Sequence, residues 1–177
     1  MKPTKIVIAV SGASGAHLGL RAARLLPEGY EGHVIATENA RTVLDKENHL
    51  QFHAPENIAA PSASGSFGAH AMLVAPCSMN TLAKIACGIA DNLVTRSAAV
   101  MLKERRRLIL APREMPFSPI ALEQMHKLAQ YGVVIAPPVM GYYAEHDTVD
   151  AMERFIIGKW FDLMGIDHDL FTRWNGQ

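Results

Sequence analysis

Cysteine and net charge are the two features that this sequence has least of. Its 177 residues contain only Cys77 and Cys87, both in apolar surroundings, so we expect no structural disulfide and a reducing compartment, the cytoplasm. The 17 basic and 17 acidic residues cancel. A chain without net charge has no long-range field toward nucleic acid or an anionic membrane, and neither is expected as a partner.

Long hydrophobic runs and metal-ligand patterns are missing as well. The apolar run at 6–10 is followed by Ser11 and Gly12, so it is too short for a signal peptide, and no run has the length of a membrane span. The histidines show no metal-ligand spacing, so we expect no metal site. The remaining composition is typical of a globular protein, and the length fits one domain over residues 1–177.

Five short apolar runs recur between longer amphipathic stretches. The runs are rich in β-branched residues, as buried strands are, and lie at 5–10, 32–37, 71–76, 107–112 and 132–137. Helical patterns lie at about 15–26, 38–46, 81–90, 95–105, 119–130 and 148–164. This alternation predicts an α/β fold of three layers, a Rossmann-like (flavodoxin-like) parallel sheet with helices on both faces.

Polar and glycine-rich segments follow the predicted strands. Because the carboxyl ends of parallel strands share one edge, we expect "SGASG", Thr37, "CSMN", "REMP" and "PVMGYY" to meet there, where open α/β sheets bind ligands. The segment 47–70 is predicted to be one long irregular loop.

The turn "VSGASG" at 10–15 follows the first strand and precedes a helix. Its amides and the hydroxyls of Ser11 and Ser14 can bind a phosphate, although a plain strand-to-helix turn is an equally good interpretation. The Gly-x-Gly-x-x-Gly pattern of dinucleotide sites is absent, which favours a mononucleotide. For "PSASGSFG" at 61–68 taken alone, a solvated linker is the better interpretation.

The segment "APCSMNTLAKIACGIADNLVTR" at 75–96 is more specific. Ser78, Asn80 and Thr81 lie between a strand end and the next helix, where side chains cap free amides. Asn80 can present both a donor and an acceptor to the edge of a flavin or a similar heterocycle. The alternative is an ordinary helix cap, which we favour for Thr81 alone.

The segment "LKERRRLILAPRE" at 102–114 carries charges at both ends of a strand. Arg113 lies at the ligand edge, where it can bind a phosphate with two hydrogen bonds, and Glu114 can orient it or exchange protons. The basic residues before the strand are interpreted as a solvated face. Tyr143 and Lys159 could bind a second anion, although Lys159 taken alone is more typical of a surface residue.

Several motifs occur in order across nearly the whole chain: "SGASG", "SGSF", "APCSMNTLAKIACGIADNL", "LKERRRLILAPRE", "PFSPIALEQM" and a loop with Tyr143. In this order they closely resemble the flavin prenyltransferases, relatives of the flavin-dependent cysteine decarboxylases. The resemblance implies that FMN is the bound prenyl acceptor. It implies transfer of a dimethylallyl group from dimethylallyl monophosphate to N5 and C6 of the flavin, without a metal. It also implies a homo-oligomer, a dodecamer, whose product is the cofactor of a partner decarboxylase.

The resemblance also assigns roles to individual residues. The flavin-binding positions are Gly12, Ala13, Ser14, Thr37, Ser78, Met79, Asn80, Thr81 and Arg113. The substrate-phosphate positions are Arg113, Tyr143, Lys159 and, from a neighbouring subunit, Lys103. The implied catalytic residues are Glu47, which lies near the reacting flavin, Glu114 and Ser14.

This chain departs from the family pattern on the prenyl-phosphate side. Lys159 stands where family members usually have arginine, Leu18 stands where an aromatic residue is common, and Tyr143 is not followed by the usual His-x-Pro. An FMN-binding accessory flavoprotein without prenyl transfer is therefore the alternative function. A cysteine decarboxylase is disfavoured, because that chemistry needs a histidine where Ser62 stands.

Overall fold

The computed structural model describes residues 2–12, 15–37, 49–142 and 148–174. Within them the chain forms a six-stranded sheet with the order β3-β2-β1-β4-β5-β6, and all neighbouring strands are parallel. The strands are β1 Thr4–Ser11, β2 Tyr30–Ile35, β3 Leu50–His53, β4 Ala71–Cys77, β5 Arg107–Pro112 and β6 Val134–Ile135. The helices are α1 Ala16–Arg24, α2 Met79–Ala86, α3 Leu93–Lys103, α4 Pro119–Gln130 and α5 Val149–Met164.

The two faces of the sheet bury separate apolar clusters, because side chains alternate along each strand. Ile6 and Ile8 of β1 belong to the cluster with α1 and α5. Val7 and Ala9 belong to the cluster with α2, α3 and α4. Helices therefore cover both faces, and the predicted three-layer α/β fold is confirmed. No helix within the described ranges is both long and apolar enough to cross a membrane.

Two strands differ from the sequence-based prediction. The structure adds β3 inside the segment predicted to be irregular. Only Leu50 of this edge strand is buried, so the sequence carries little strand signal there. β6 covers two residues of the predicted strand 132–137. The predicted helix at 38–46 lies outside the described residues.

The rest of the segment predicted to be irregular, residues 54–70, is a packed crossover from β3 to β4. It contains two short 3₁₀ helices, Pro61–Ala63 and Gly65–Phe67. Three basic side chains donate to alternate backbone carbonyls of these turns: Arg96 to Ala63 (3.3 Å), Arg106 to Gly65 (3.0 Å) and Lys5 to Phe67 (3.2 Å). The solvated-linker interpretation of 61–68 is therefore wrong, because cations from β1, from α3 and from the loop before β5 bind its backbone.

The basic run before β5 is only partly a solvated face. Besides the bond from Arg106, Nη1 of Arg107 donates to the carbonyl of Met164 (2.8 Å), the last residue of α5. These arginines tie the crossover and the end of α5 to the start of β5. The interpretation as a solvated face is therefore corrected for Arg106, which is half-buried, and for Arg107, which is exposed but bound to α5. Arg105 is exposed.

Candidate functional site

The carboxyl ends of β1, β4 and β5 lie side by side, because these strands are neighbours in the sheet. Ser11 is paired with Cys77, and Cys77 with Pro112. The backbone N–H of Ser78 donates to the carbonyl of Ser11 (2.9 Å) and lies 3.2 Å from its hydroxyl oxygen. These bonds join the turn after β1 to the start of α2. The predicted site segments that begin at Ser11 ("SGASG") and contain Ser78 ("CSMN") therefore meet.

Ser78 is the N-cap of α2. Its Oγ accepts the backbone N–H of Thr81 (3.2 Å), and its hydroxyl donates to Oγ1 of Thr81 (3.0 Å). Thr81 therefore takes part in the helix cap, but the capping side chain is that of Ser78. Thr81 is buried, Met79 is half-buried and Asn80 is exposed. Asn80 is thus the polar side chain of this turn that can reach a ligand.

The glycines of the first turn take backbone conformations that other residues rarely adopt. Gly12 has a φ of +132° and Gly15 a φ of +83°. A Cβ added at Gly15 would lie 3.5 Å from Cδ of Arg113, so the aliphatic part of Arg113 lies over this turn. Gly15 offers no side-chain cap to α1, whose first turn has no acidic residue. The positive end of α1 and the arginine beside it suit an anion such as a phosphate.

Glu114 follows Arg113 along the chain but forms no ion pair with it in the described part of the structure. Oε1 of Glu114 accepts the backbone N–H of Met115 (3.3 Å), and both Arg113 and Glu114 are exposed. Arg113 is therefore available to a ligand. Of the two roles predicted for Glu114, orienting the arginine has no contact to support it here, and proton exchange stays a prediction.

Other predicted residues of this edge fall partly outside the described residues. Thr37 is exposed two residues after the end of β2, which is the neighbour of β1. The predicted site residues outside the described ranges are Ala13, Ser14, Glu47 and Tyr143. Cys77 also ends at this edge, but burial raises the pKa of its thiol to about 12. The sulfur is protonated at neutral pH and is a poor nucleophile.

Lys103 lies at the opposite edge of the sheet. It is the last residue of α3, before β5, whereas Arg113 follows the end of β5. Its side chain is 58% exposed and pairs with Glu104. A hydrogen bond from Lys103 lowers the pKa of Glu104, so this carboxylate is charged at neutral pH. The fold of one chain does not bring Lys103 to Arg113, as expected for a residue predicted to act in a neighbouring subunit.

Lys159 lies in the second half of α5, five residues before Met164. The carbonyl of Met164 binds Arg107 at the amino end of β5, so this half of α5 runs away from the carboxyl edge. Lys159 is 55% exposed and lies 3.9 Å from Asp162, which also accepts Arg173. Its predicted contact with a phosphate at Arg113 therefore also needs a second copy of the chain, and it stays a prediction.

A charged contact joins α1 and α5 and was not predicted from the sequence. Arg21 donates to Asp150 and Glu153, and Nε2 of His17 lies 2.8 Å from Oε1 of Glu153. The hydrogen bond from Arg21 lowers the pKa of Asp150. Burial opposes ionisation of Glu153, but bonds from Arg21 and His17 lower its pKa overall. The four-residue spacing of His17 and Arg21 indicates one helix face, but no sequence signal shows which element that face meets.

The structure also describes the residues that bear on a cysteine decarboxylase and on a metal site. Ser62, at the position where a cysteine decarboxylase would need a histidine, is buried and lies 2.9 Å from the hydroxyl of Ser97. It is a packed residue of the crossover. Within the described residues no group of three or more His, Cys, Asp or Glu side chains is arranged to hold a metal ion.

Comparison with known proteins agrees with this architecture. A family model described as Flavoprotein matches residues 1–159. A curated protein from Helicobacter pylori named flavin prenyltransferase UbiX is 45% identical, over 96% of this chain and 98% of its own length. The crystal structure of AnUbiX (PadA1) in complex with FMN and dimethylallyl pyrophosphate has a TM-score of 0.87 and 38% identity, over 99% of both chains.

A second similar solved structure is that of an oligomer. A dodecameric FMN-dependent UbiX-like decarboxylase from Escherichia coli has a TM-score of 0.84 and 39% identity, over 98% of this chain and 100% of that chain. Identity at this level over nearly the full length shows common membership in a family. The chain therefore belongs to the flavoprotein family and, within it, to the UbiX flavin prenyltransferases.

Proposed function

We propose that this protein binds FMN at the carboxyl edge of its sheet and joins a dimethylallyl group, taken from dimethylallyl monophosphate, to N5 and C6 of the reduced flavin. The observation that carries the proposal is the position of Arg113 over Gly15, beside the uncapped N-terminus of α1. The similarity to a named flavin prenyltransferase and to a complex with FMN and dimethylallyl pyrophosphate supports the same chemistry.

The flavin side of the site uses the turns after β1, β2, β4 and β5. The proposed contacts are Gly12, Ala13, Ser14, Thr37, Ser78, Met79, Asn80, Thr81 and Arg113. The helix amides after Gly15 suit the anionic phosphate of FMN, and exposed Asn80 suits the polar edge of the ring system. Thr81 acts through Ser78, because its amide and hydroxyl hold the Ser78 side chain in place.

The prenyl-phosphate side needs positive charge and a proton acceptor. Reduced FMN supplies the two nucleophilic atoms. N5 would bond to the allylic carbon and lose its proton as the bond between that carbon and the phosphate oxygen breaks and phosphate leaves. The double bond of the dimethylallyl group would then accept a proton, and C6 would bond to its far carbon. Arg113, Tyr143, Lys159 and Lys103 would stabilise the departing phosphate. The proton lost from C6 goes to a carboxylate or to the phosphate. Glu47 and Glu114 are the proposed acceptors, and Ser14 would orient the reacting groups.

A site of this kind requires assembly. Lys103 and Lys159 both lie away from Arg113 within one chain, so each would reach the phosphate from another copy. We propose a homo-oligomer with sites between subunits, a dodecamer like the related Escherichia coli protein. Each subunit would be one flavoprotein domain over residues 1–177. The prenylated flavin would be released to a partner decarboxylase.

A mass measurement tests the proposal. The purified protein, loaded with reduced FMN without oxygen, is given dimethylallyl monophosphate, or dimethylallyl diphosphate in a second arm. We expect bound flavin to gain the mass of one isoprene unit. Flavin that binds but never gains this mass would support the accessory-flavoprotein alternative. Failure to bind FMN would refute the site, and Arg113→Ala should weaken retention of the flavin while Lys127→Ala, at an exposed position of α4, should not.

A further inference from the structure

The turn at Gly65, in the crossover between β3 and β4, contacts the end of α3. A Cβ added at Gly65 would overlap Oε1 of Glu104, and it would lie 2.8 Å from Cδ of Glu104 and 3.0 Å from Nζ of Lys103. The carboxylate and the ammonium therefore lie directly against this glycine, where any side chain would displace them. The "SGSF" motif thus contacts the lysine that is proposed to act in a neighbouring subunit.

The carboxylate of Glu104 lies between two cations. Nζ of Lys103 donates to its Oε1, and Nη2 of Arg106 lies 3.8 Å from its Oε2. Nη2 of Arg106 also donates to the carbonyl of Gly65 (3.0 Å), which ties the glycine turn to the same group. The hydrogen bond from Lys103 is the main cause that lowers the pKa of Glu104, and the charge of Arg106 adds to it. Because two cations surround one carboxylate, the cluster keeps a net positive charge and can still attract an anion.

Helix stability does not account for Glu104. It follows Lys103, the last residue of α3, and is the C-cap of this helix. The free carbonyls at a helix C-terminus carry partial negative charge, which disfavours a carboxylate there. The side chains of Lys103 and Glu104 are 58% and 33% exposed, so their ion pair stabilises the fold little. Its main effect is to restrict the direction of a long, flexible lysine side chain.

We propose that Glu104, packed against Gly65, is a positioning residue that holds the side chain of Lys103 in the direction in which it enters the phosphate site of the neighbouring subunit. An ammonium has three N–H donors, so Lys103 can bind Glu104 and the phosphate at the same time. Restricting the side chain beforehand lowers the entropy cost of binding the phosphate. This inference rests on the proposed function, in which Lys103 and Arg113 of two subunits bind one phosphate.

A double-mutant cycle tests whether Glu104 acts through Lys103. The four proteins are wild type, Glu104→Gln, Lys103→Ala and the variant with both changes, each studied as the FMN-loaded oligomer. Glu123→Gln, at an exposed position of α4, is the matched control. Prenylated flavin is quantified by mass spectrometry at a series of dimethylallyl monophosphate concentrations, and the thermal midpoint is measured on the same samples.

We expect Glu104→Gln to lower kcat/KM for dimethylallyl monophosphate about fivefold, because exposed ion pairs shift side-chain populations by factors of up to this size. The thermal midpoint should change little. In the Lys103→Ala background the same substitution should change kcat/KM less than about twofold, since the residue through which it acts is gone. Glu123→Gln should resemble wild type. An unchanged kcat/KM in Glu104→Gln, or an equal decrease with and without Lys103, would overturn the proposal.

Gly65→Ala tests the same contact from the crossover. Gly65 is not among the glycines with positive φ, so alanine fits the backbone, and its Cβ displaces only the flexible ends of Glu104 and Lys103. This variant should fold, keep its FMN affinity and lower kcat/KM at least as much as Glu104→Gln does. The decrease should disappear in the Lys103→Ala background. Wild-type kinetics in the folded Gly65→Ala oligomer would contradict a positioning role for this contact.

Lysine acetylation distinguishes failure of this inference from failure of the proposed function. An ammonium held by a carboxylate must leave it before it reacts. A limiting amount of acetic anhydride should therefore acetylate Lys103 faster in Glu104→Gln and in Gly65→Ala than in wild type, while Lys127 reacts equally in all three. Peptide mass spectrometry gives these rates without catalysis. If wild type prenylates no flavin, the proposed function fails and the rates still decide whether Glu104 holds Lys103. Equal rates at Lys103 would refute the positioning role.

Discussion

Lys103→Ala and Arg113→Ala should each abolish most prenylation, and the two variants together should recover it in mixed oligomers. Lys103 precedes β5 and Arg113 follows it. The six residues of β5 span roughly 20 Å at about 3.3 Å per residue. The two cations of one chain are therefore too far apart to share a phosphate, and a site that uses both must take them from different subunits.

The expected activity of the mixed oligomers follows from the sharing of each site between two subunits. Losing one charged contact to the leaving phosphate should lower kcat/KM on the order of a hundredfold. In a random one-to-one mixture, about a quarter of two-subunit sites would contain both intact residues. Mixed oligomers should thus show about a quarter of wild-type activity, against roughly one-hundredth for either variant alone.

The assay uses co-expressed variants with two different affinity tags, purified over both resins so that every oligomer contains both chains. Prenylated flavin is quantified by mass spectrometry. Lys127→Ala serves as the control, since Lys127 is also an exposed lysine in the last turn of a helix. Doubly purified oligomers that remain at the activity of the single variants would refute a shared site. A fully active Lys103→Ala protein would remove this lysine from the site.

Three further outcomes are expected. Burial lowers the pKa values of His33 and His53 in the folded protein. Well above pH 6.5 these histidines are neutral in both the folded and the unfolded protein. Below about pH 6.5 the unfolded protein binds protons that the folded protein does not, so the free energy of unfolding should decrease as pH falls, until the folded-state pKa values are passed. Denaturation of a His33→Gln, His53→Gln double variant should show a shallower decrease; an identical slope would contradict this. In the native protein iodoacetamide should label exposed Cys87 and spare Cys77, as peptide mass spectrometry can show. Lys159→Ala should raise KM for dimethylallyl monophosphate strongly with little effect on FMN affinity, whereas Lys159→Arg should preserve turnover; wild-type kinetics for Lys159→Ala would mark it as a surface residue.

The strands that position the site could be predicted because each is a continuous apolar run. β4 is buried along its full length, and five of the six residues of β5 are buried, so no alternation obscures the pattern. β3 could not be predicted in this way, because an edge strand exposes most of its side chains. Its partners are also fixed by the packing of the sheet, which local sequence does not encode.

The same distinction applies to the site. The common edge of Ser78 and Arg113 can be predicted, since the end of a parallel strand determines where its next residues lie. The bridge from Arg21 to α5 could not be predicted, because its acidic partners lie more than a hundred residues away. The charge pattern of each helix is readable from sequence, but the meeting of the two faces is a property of the fold.

The partners of each cation distinguish structural charges from charges available to a ligand. Arg106 and Arg107 bind backbone carbonyls of the crossover and of α5, so removing them costs hydrogen bonds between segments of the fold. Lys103 and Lys159 instead pair with nearby carboxylates and are more than half exposed. Water screens such pairs, so exchanging the carboxylate for a doubly charged phosphate costs little. Arg113, exposed and without an ion pair in the described part of the chain, needs no exchange at all. The cations proposed to hold the leaving phosphate are therefore ones whose contacts within the chain contribute little to the stability of the fold.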